Sequence, residues 1–250
     1  MADFFIYVIL GALQGIFEWI PISSEGVVAL AAQSLKVGVN PVDFALFLHL
    51  GTLMAALCYY WRDWLKVFSL KDWRLIKFLA ITTAISLPIG FIVYKTVESA
   101  TIGVGLLLLT GACLLFTAYF QSKKTSIRLG QTQTAIFAGV LQGIAALPGF
   151  SRSGSTIFGL SFGGLGPAQI LRLSYLMSVP AVVASTGYTL IFKGESASFA
   201  AWPAIAASFI VGFLFLDILT KVSARVNFAK FALIFAGLCF VGVALEILPK

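Results

Sequence analysis

Charge is scarce in this chain. Only 11% of its 250 residues are Asp, Glu, Lys or Arg, and it holds a single histidine and three cysteines. Soluble domains carry about 25% charged residues, so water is excluded as the main solvent. Cys58, Cys113 and Cys239 sit in apolar stretches with no CxxC spacing and no histidine nearby. That excludes a disulfide framework or Cys/His metal site and leaves them as small core residues. The residues after Met1 lack a basic n-region and a small-residue cleavage site, so a removable signal peptide is not expected.

Apolar residues fill the space that charge leaves: 60% of the chain is hydrophobic and the mean hydropathy is +1.00. Apolar stretches at 44–61, 77–94, 102–120, 169–192, 200–219 and 230–248 each approach the length needed to cross a hydrocarbon core of ~30 Å. Two further stretches, 4–35 and 134–165, are broken by Pro21 and Pro148 and by Gly and Ser clusters. They are predicted to be re-entrant helical hairpins.

The formal charge of +7 would suit nucleic acid, but its placement excludes that partner. Basic residues gather in three short loops: Arg62, Lys66, Lys71, Arg74 and Lys77 in 62–77, Lys123, Lys124 and Arg128 in 121–133, and Lys221, Arg225 and Lys230 in 220–230. The loops around Lys95 and Lys193 hold one cation each, balanced by Glu98 and Glu195. The positive-inside rule makes the three basic loops cytoplasmic in a multi-pass plasma-membrane protein. Followed along the chain, this rule gives the two halves opposite orientation.

An internal repeat adds that the halves are duplicates. Gly11-Ala-Leu-Gln-Gly-Ile16 and Gly139-Val-Leu-Gln-Gly-Ile144 differ at one position, Pro21 and Ser23 answer Pro148 and Ser151, and Gly111-Ala-Cys113 is echoed at Gly237-Leu-Cys239. The expected fold is an all-α integral membrane protein of two inverted-topology repeats, 1–130 and 131–250. Each is a re-entrant hairpin followed by three spans, together making one compact membrane domain. Proteins of that architecture bind ligands near mid-membrane at the repeat interface, where protein or water satisfies irregular backbone.

The second hairpin carries Pro148-Gly-Phe-Ser-Arg-Ser-Gly-Ser-Thr156, a polar loop in apolar surroundings. Arg152 offers a guanidinium fork suited to phosphate oxygens. Ser151, Ser153, Ser155 and Thr156 add hydroxyls, and a restarting helix adds its positive dipole end. The first hairpin supplies Gln14 and Glu18 on one helical face, then Ser23 and Ser24 at the break. An intramembrane carboxylate points to function, and for Glu18 three roles stand open: counter-ion to Arg152, ligand for a hard cation, or base. A structural ion pair with Arg152, with serines that only finish broken helix ends, is the plainer alternative.

These two segments resemble the signatures of the undecaprenyl pyrophosphate phosphatases, the BacA or UppP family: a glutamate-rich segment followed by Pro-x-Ser-Ser-x-Gly-His, here Gln14 to Val27, and Pro-Gly-x-Ser-Arg-Ser-x-x-Thr, here complete at Pro148 to Thr156. Phe44-Ala-Leu-Phe-Leu-His-Leu-Gly-Thr52 and Ser174-Tyr-Leu-Met-Ser-Val-Pro180 are also similar, with His49 where the family usually shows Gln. The resemblance implies hydrolysis of undecaprenyl or another polyprenyl diphosphate to the monophosphate, recycling the lipid carrier of cell-surface glycans. It implies Mg²⁺ or Ca²⁺ as cofactor, with Glu18 as metal ligand. Glu18, Ser24 and Arg152 would be catalytic, with Ser24 as candidate nucleophile. Gln14, Ser23, Ser151, Arg152, Ser153 and Thr156 would bind the substrate's phosphates. Partners would be that lipid, membrane lipids and a second copy in a homodimer.

Two positions depart from the pattern: Gln14 stands for an acidic residue and Val27 for the histidine. Gln14 cannot act as a base and Val27 cannot handle protons, so Glu25 and His49 are the candidates for a compensating base. The same departures keep open a transporter or flippase of polyprenyl phosphate with weakened or lost hydrolysis. A purely structural membrane protein would leave the Ser-Arg-Ser cluster without a purpose.

Overall fold

A computed structural model of the chain describes residues 2–21, 23–35, 37, 41–97, 108, 111–112, 115–116, 118–119, 128–147, 150–188, 191, 201–222 and 228–247. Among them the regular structure is helical, with no strand. In chain order the helices are α1 (Ala2–Phe17), α2 (Ser24–Ser34), α3 (Pro41–Tyr59), α4 (Trp61–Phe68) and α5 (Trp73–Val97), then α6 (Gln131–Ile144), α7 (Arg152–Ser161), α8 (Pro167–Tyr188), α9 (Trp202–Val222) and α10 (Phe228–Ile247). Three of them, α5, α8 and α9, are long and apolar enough to cross a membrane, and the bent pair α3/α4 could supply a fourth span. The protein is thus an all-α membrane protein.

Both predicted hairpins are helix–break–helix units whose arms pack on each other, α1 with α2 and α6 with α7. The first break starts earlier than Pro21 suggests: α1 ends at Phe17, and Glu18 to Pro21 form the turn. Pro148 and Gly149 lie outside the described residues, as do most of the expected span 102–120, Lys123, Lys124, Lys193, Glu195, Arg225 and Glu98.

The expected loop 62–77 is largely helical. The chain bends by 78° after Tyr59, forms α4, and enters α5 at Trp73, four residues before the predicted span. Basic residues disguised these helices because a charge count cannot tell a loop from an amphipathic helix. The α4 C-terminus closes with Lys71 N donating to Lys66 O at 2.8 Å and Leu70 N to Val67 O at 3.1 Å. That is a Schellman stop, with Leu70 rather than glycine at the left-handed position, φ 55°. A side chain there costs about 1–2 kcal/mol.

Contacts divide the chain into two units. The first comprises residues 1–20, 24–79 and 175–222, the second residues 21–23, 80–174 and 223–250. In the first unit α9 is the bed for α1 and α3. A methyl added at Gly11 would meet Ala204 O at 2.1 Å, one at Gly15 would meet Gly212 N at 2.6 Å, and one at Gly51 would meet Ile205 O at 2.6 Å. Lipid tails are as apolar as leucine, so helices in a membrane gain from close backbone approach, and small residues permit it. Leu10, Val28, Phe44, Leu48 and Ala204 fill the core beside this seam.

The second unit repeats the device. Gly139 of α6 approaches Thr82 O of α5, where an added methyl would lie at 3.0 Å, and Gly143 approaches Ser86 O at the same distance. The receiving surfaces carry a sequence pattern of their own. Thr82, Ser86 and Gly90 on α5 and Ala204, Ser208 and Gly212 on α9 both follow small-xxx-small-xxx-Gly, and the spacing between the two stripes is constant along their length.

Candidate active site

The first break is built around Glu18. Its Oε2 accepts hydrogen bonds from Gln14 Nε2 at 2.9 Å and Ser24 Oγ at 2.8 Å, and lies 3.1 Å from His49 Nε2. Gln14 is one helical turn before Glu18, Ser24 opens α2, and His49 comes from the middle of α3, so three segments converge on one oxygen. Gln14, Glu18 and Ser24 are all buried. A buried carboxylate needs charge-assisted partners to offset its desolvation, and these three provide them.

His49 fixes the protonation logic. Its Nδ1 lies 2.9 Å from the Ala45 carbonyl, which can only accept, so Nδ1 carries a hydrogen. Nε2 then faces a carboxylate oxygen, and without a proton between them two lone pairs would meet. His49 and Glu18 therefore share a proton, as an ion pair or its neutral tautomer. Glu25, half-buried, also lies within electrostatic reach of the imidazole. Of the two candidates for a compensating base, it is His49 that bonds to Glu18. The sequence signal was there, a lone histidine in an apolar stretch, but only the fold shows which break that stretch passes.

The backbone of this turn is tied down by two aromatic residues to which the sequence alone assigns no role. Trp19 is fully buried; its Nε1 donates to Gly212 O at 2.9 Å, its carbonyl accepts from Tyr175 Oη at 2.9 Å, and the two rings meet edge to face with centroids 5.0 Å apart. Broken helices inside a membrane require such replacement partners for their backbone.

The second break restarts at Ser151. Its Oγ caps α7 by accepting from Gly154 N at 3.1 Å and pairs with Ser153 Oγ at 3.2 Å. Ser155 Oγ donates to Ser151 O at 2.8 Å, and Thr156 Oγ1 bonds Arg152 O at 2.9 Å and Ser174 Oγ of α8 at 2.6 Å. Ser151, Ser153, Ser155 and Thr156 are all buried, and Arg152 is half-buried at the first helical position. Ser151 and Ser155 thus finish the helix start, as the plainer reading expected, while Arg152 stands at the positive end of the α7 dipole, where anions are favoured. Ser23, buried and counted with this second unit, sits beside Pro21, which lies against Gly154: a methyl there would meet Pro21 Cβ at 3.1 Å.

A resident divalent cation does not suit the first break as it stands. Among the described residues no three His, Cys, Asp or Glu side chains converge as a metal shell requires. Oε2 of Glu18 is already taken by three donors, and the neighbouring charge comes from an imidazole. Gln14 Oε1 is buried without a hydrogen-bond partner.

Apolar helices interrupted at two polar breaks, one holding a buried carboxylate and the other an arginine at a helix N-terminus, define a helical membrane protein with two polar centres. The chain belongs to the BacA family, since the family model described as bacitracin resistance protein BacA matches residues 7–241. It is 36% identical to an undecaprenyl-diphosphatase of Haloarcula marismortui over 97% of this chain and 98% of that protein. It is 31% identical to an undecaprenyl-diphosphatase of Sulfurisphaera tokodaii over 96% of this chain and 97% of that protein. An undecaprenyl-diphosphatase of Aquifex aeolicus is 33% identical over 86% of each chain.

Proposed function

We propose that the protein is a membrane phosphatase that hydrolyses undecaprenyl or a closely similar polyprenyl diphosphate to the monophosphate, and so returns a lipid carrier to use. The observation that carries this reading is the Ser24–Glu18–His49 chain of hydrogen bonds, which can take a proton from a hydroxyl. Pure binding or transport has no need of such a relay, and the relatives bear a hydrolase name rather than a transporter's. Arg152 and the hydroxyls of Ser23, Ser151, Ser153 and Thr156 are assigned as phosphate-binding groups, the guanidinium being suited to a bidentate grip on phosphate oxygens.

In the mechanism, Ser24 Oγ attacks the terminal phosphorus while its proton passes to Glu18 Oε2, 2.8 Å away. A Ser–O–P bond forms, the anhydride P–O bond breaks, and the lipid monophosphate leaves. Water then cleaves the phosphoserine, inorganic phosphate departs and Ser24 recovers a proton. His49 positions the Glu18 carboxylate throughout. Mg²⁺ or Ca²⁺, on this reading, comes with the diphosphate rather than resting in the protein.

The inverted duplication is part of the same proposal. It is supported by the crossed bedding of the hairpins: α1 from the first half lies on α9 of the second, and α6 from the second lies on α5 of the first, through matching glycines and matching small-residue stripes. A cytoplasmic position for 62–77, 121–133 and 220–230 follows from the charge rule, and the plasma membrane is part of the same proposal.

The test is phosphate release from a long-chain polyprenyl diphosphate by purified protein in detergent, with Mg²⁺ present or chelated. Arg152→Ala and Ser24→Ala should each lower kcat/KM by about 10³-fold, a loss typical of removing a transition-state donor or a nucleophile. Release by both variants equal to that of the unaltered protein overturns the reading.

A further inference from the structure

We propose that α4 and the turn behind it form an interfacial site that gathers anionic lipid headgroups of the surrounding bilayer. The inference does not depend on the hydrolase reading. Trp61, Leu65 and Phe68 fall at i, i+4 and i+7 on one edge of α4 and are 51%, 55% and 74% exposed, while Trp64 is turned inward at 9%. Leu70 and Trp73 extend the apolar edge at 58% and 67% exposed. Beside that edge run Arg62 and Lys66, one helical turn apart, followed by Lys71, Arg74 and Lys77. Two carboxylates accompany these five cations, Asp63 and Asp72, and Asp72 Oδ1 is engaged in accepting from Leu75 N at 3.0 Å.

This segment suits neither pure solvent. Arg62, Asp63 and Lys66 within eight residues exclude it from hydrocarbon, and an edge of exposed Trp, Leu and Phe is poorly placed in water. The boundary between them satisfies both, with the apolar edge among the upper acyl carbons and the guanidinium and ammonium groups among phosphates. Geometry agrees: the 78° bend after Tyr59 turns α4 nearly perpendicular to α3, so with α3 steep in the bilayer α4 lies along its surface rather than continuing the span. The Arg62 guanidinium lies 5.3 Å from the Trp61 ring centroid, a pairing that keeps the charge at the level where the indole anchors. Leu70 adds a second pointer. It occupies a left-handed turn position where glycine would be unstrained, and its exposed side chain gains only where apolar surroundings cover it.

The excess of cations selects lipids of negative charge, because basic residues near a bilayer surface are attracted to anionic headgroups over roughly a Debye length. The experiment places the full chain in nanodiscs of phosphatidylcholine doped with an equal fraction of acyl-brominated phosphatidylglycerol or acyl-brominated phosphatidylcholine. The reading is quenching of the tryptophan emission that is lost in W61F/W73F. At low salt the brominated anionic lipid should quench that emission at least about twofold more strongly than the zwitterionic one, and a salt concentration of roughly 0.5 M should erase the difference. R62Q/K66Q/K71Q/R74Q should also erase it; if that variant does not fold, the salt arm decides. Equal quenching by the two lipids at low salt, or a preference that survives both salt and neutralisation, overturns the proposal.

Discussion

The two broken helices start from nearly the same six residues and end in different chemistry. In both, two glycines four residues apart bed the helix on a neighbour's small-residue stripe, α1 on α9 and α6 on α5. In both, the glutamine between those glycines reaches a polar partner. Gln14 bonds Glu18 on its own helix, whereas Gln142 crosses to Ser86 Oγ of α5 at 3.1 Å. Each break is also met by a polar side chain from the helix that follows, His49 at the first and Ser174 at the second. The contrast separates what a repeated motif preserves from what it leaves free. Backbone approach tolerates almost no variation, so the glycines recur; the polar partner can change from a titratable pair to neutral hydroxyls without moving a helix.

On the proposed reading the first break handles protons and the second phosphate oxygens; substitutions at Glu18 and His49 would sharpen or break that division, and substitutions at Gly11 and Gly139 the comparison of the two seams. The largest effect belongs to Glu18→Gln, which keeps the shape of the hub but removes its ability to take the Ser24 proton. Phosphate release should fall by about 10²–10³-fold in kcat with KM little changed. A change confined to KM would instead make Glu18 a binding residue and erase the contrast.

Next comes His49→Gln, a side chain that can still donate to Glu18 but supplies no proton. Activity should fall about 10- to 100-fold and the acid limb of the pH–rate profile should move, because the shared proton titrates as a property of the pair. Adding Val27→His to that variant tests whether an imidazole from α2 can take over. Recovery of part of kcat with a restored limb supports a proton-handling role, and an unchanged profile in H49Q points to packing alone.

The smallest effect separates the two seams. Gly11→Ala places a methyl 2.1 Å from Ala204 O, and Gly139→Ala places one 3.0 Å from Thr82 O. Overpacking of this kind costs about 1–3 kcal/mol, and the first variant should lose clearly more thermal stability in detergent than the second. Equal losses would mean that the two seams are equally tight.

Much of this was legible in the sequence, and what was not has identifiable causes. Hydropathy and punctuation by Gly, Ser and Pro revealed the helices and both breaks, because a polar interruption in an apolar run is costly and therefore visible. Arg152 and Glu18 stood out for the same reason. The convergence of Gln14, Ser24 and His49 on a single oxygen did not, since residues from three segments meet only through the packing of α1, α2 and α3. Trp19 passed unnoticed, and Tyr175 stood in the Ser174–Pro180 segment without a role, because apolar composition hides an aromatic that is also a hydrogen-bonding brace. The helix α4 was lost within a basic loop, although Trp61, Leu65 and Phe68 already carried the helical spacing.

The crossed bedding of α1 on α9 and α6 on α5 also sets an order of assembly. Residues 11 and 15 meet their seat at 204, 208 and 212, almost two hundred positions later in the chain, so α1 leaves the ribosome long before the surface that receives it exists. Contacts so distant in sequence form late. The helix α1, made long before α9, is thus among the last to be seated, and a chain interrupted anywhere before α9 keeps its glycine face unburied.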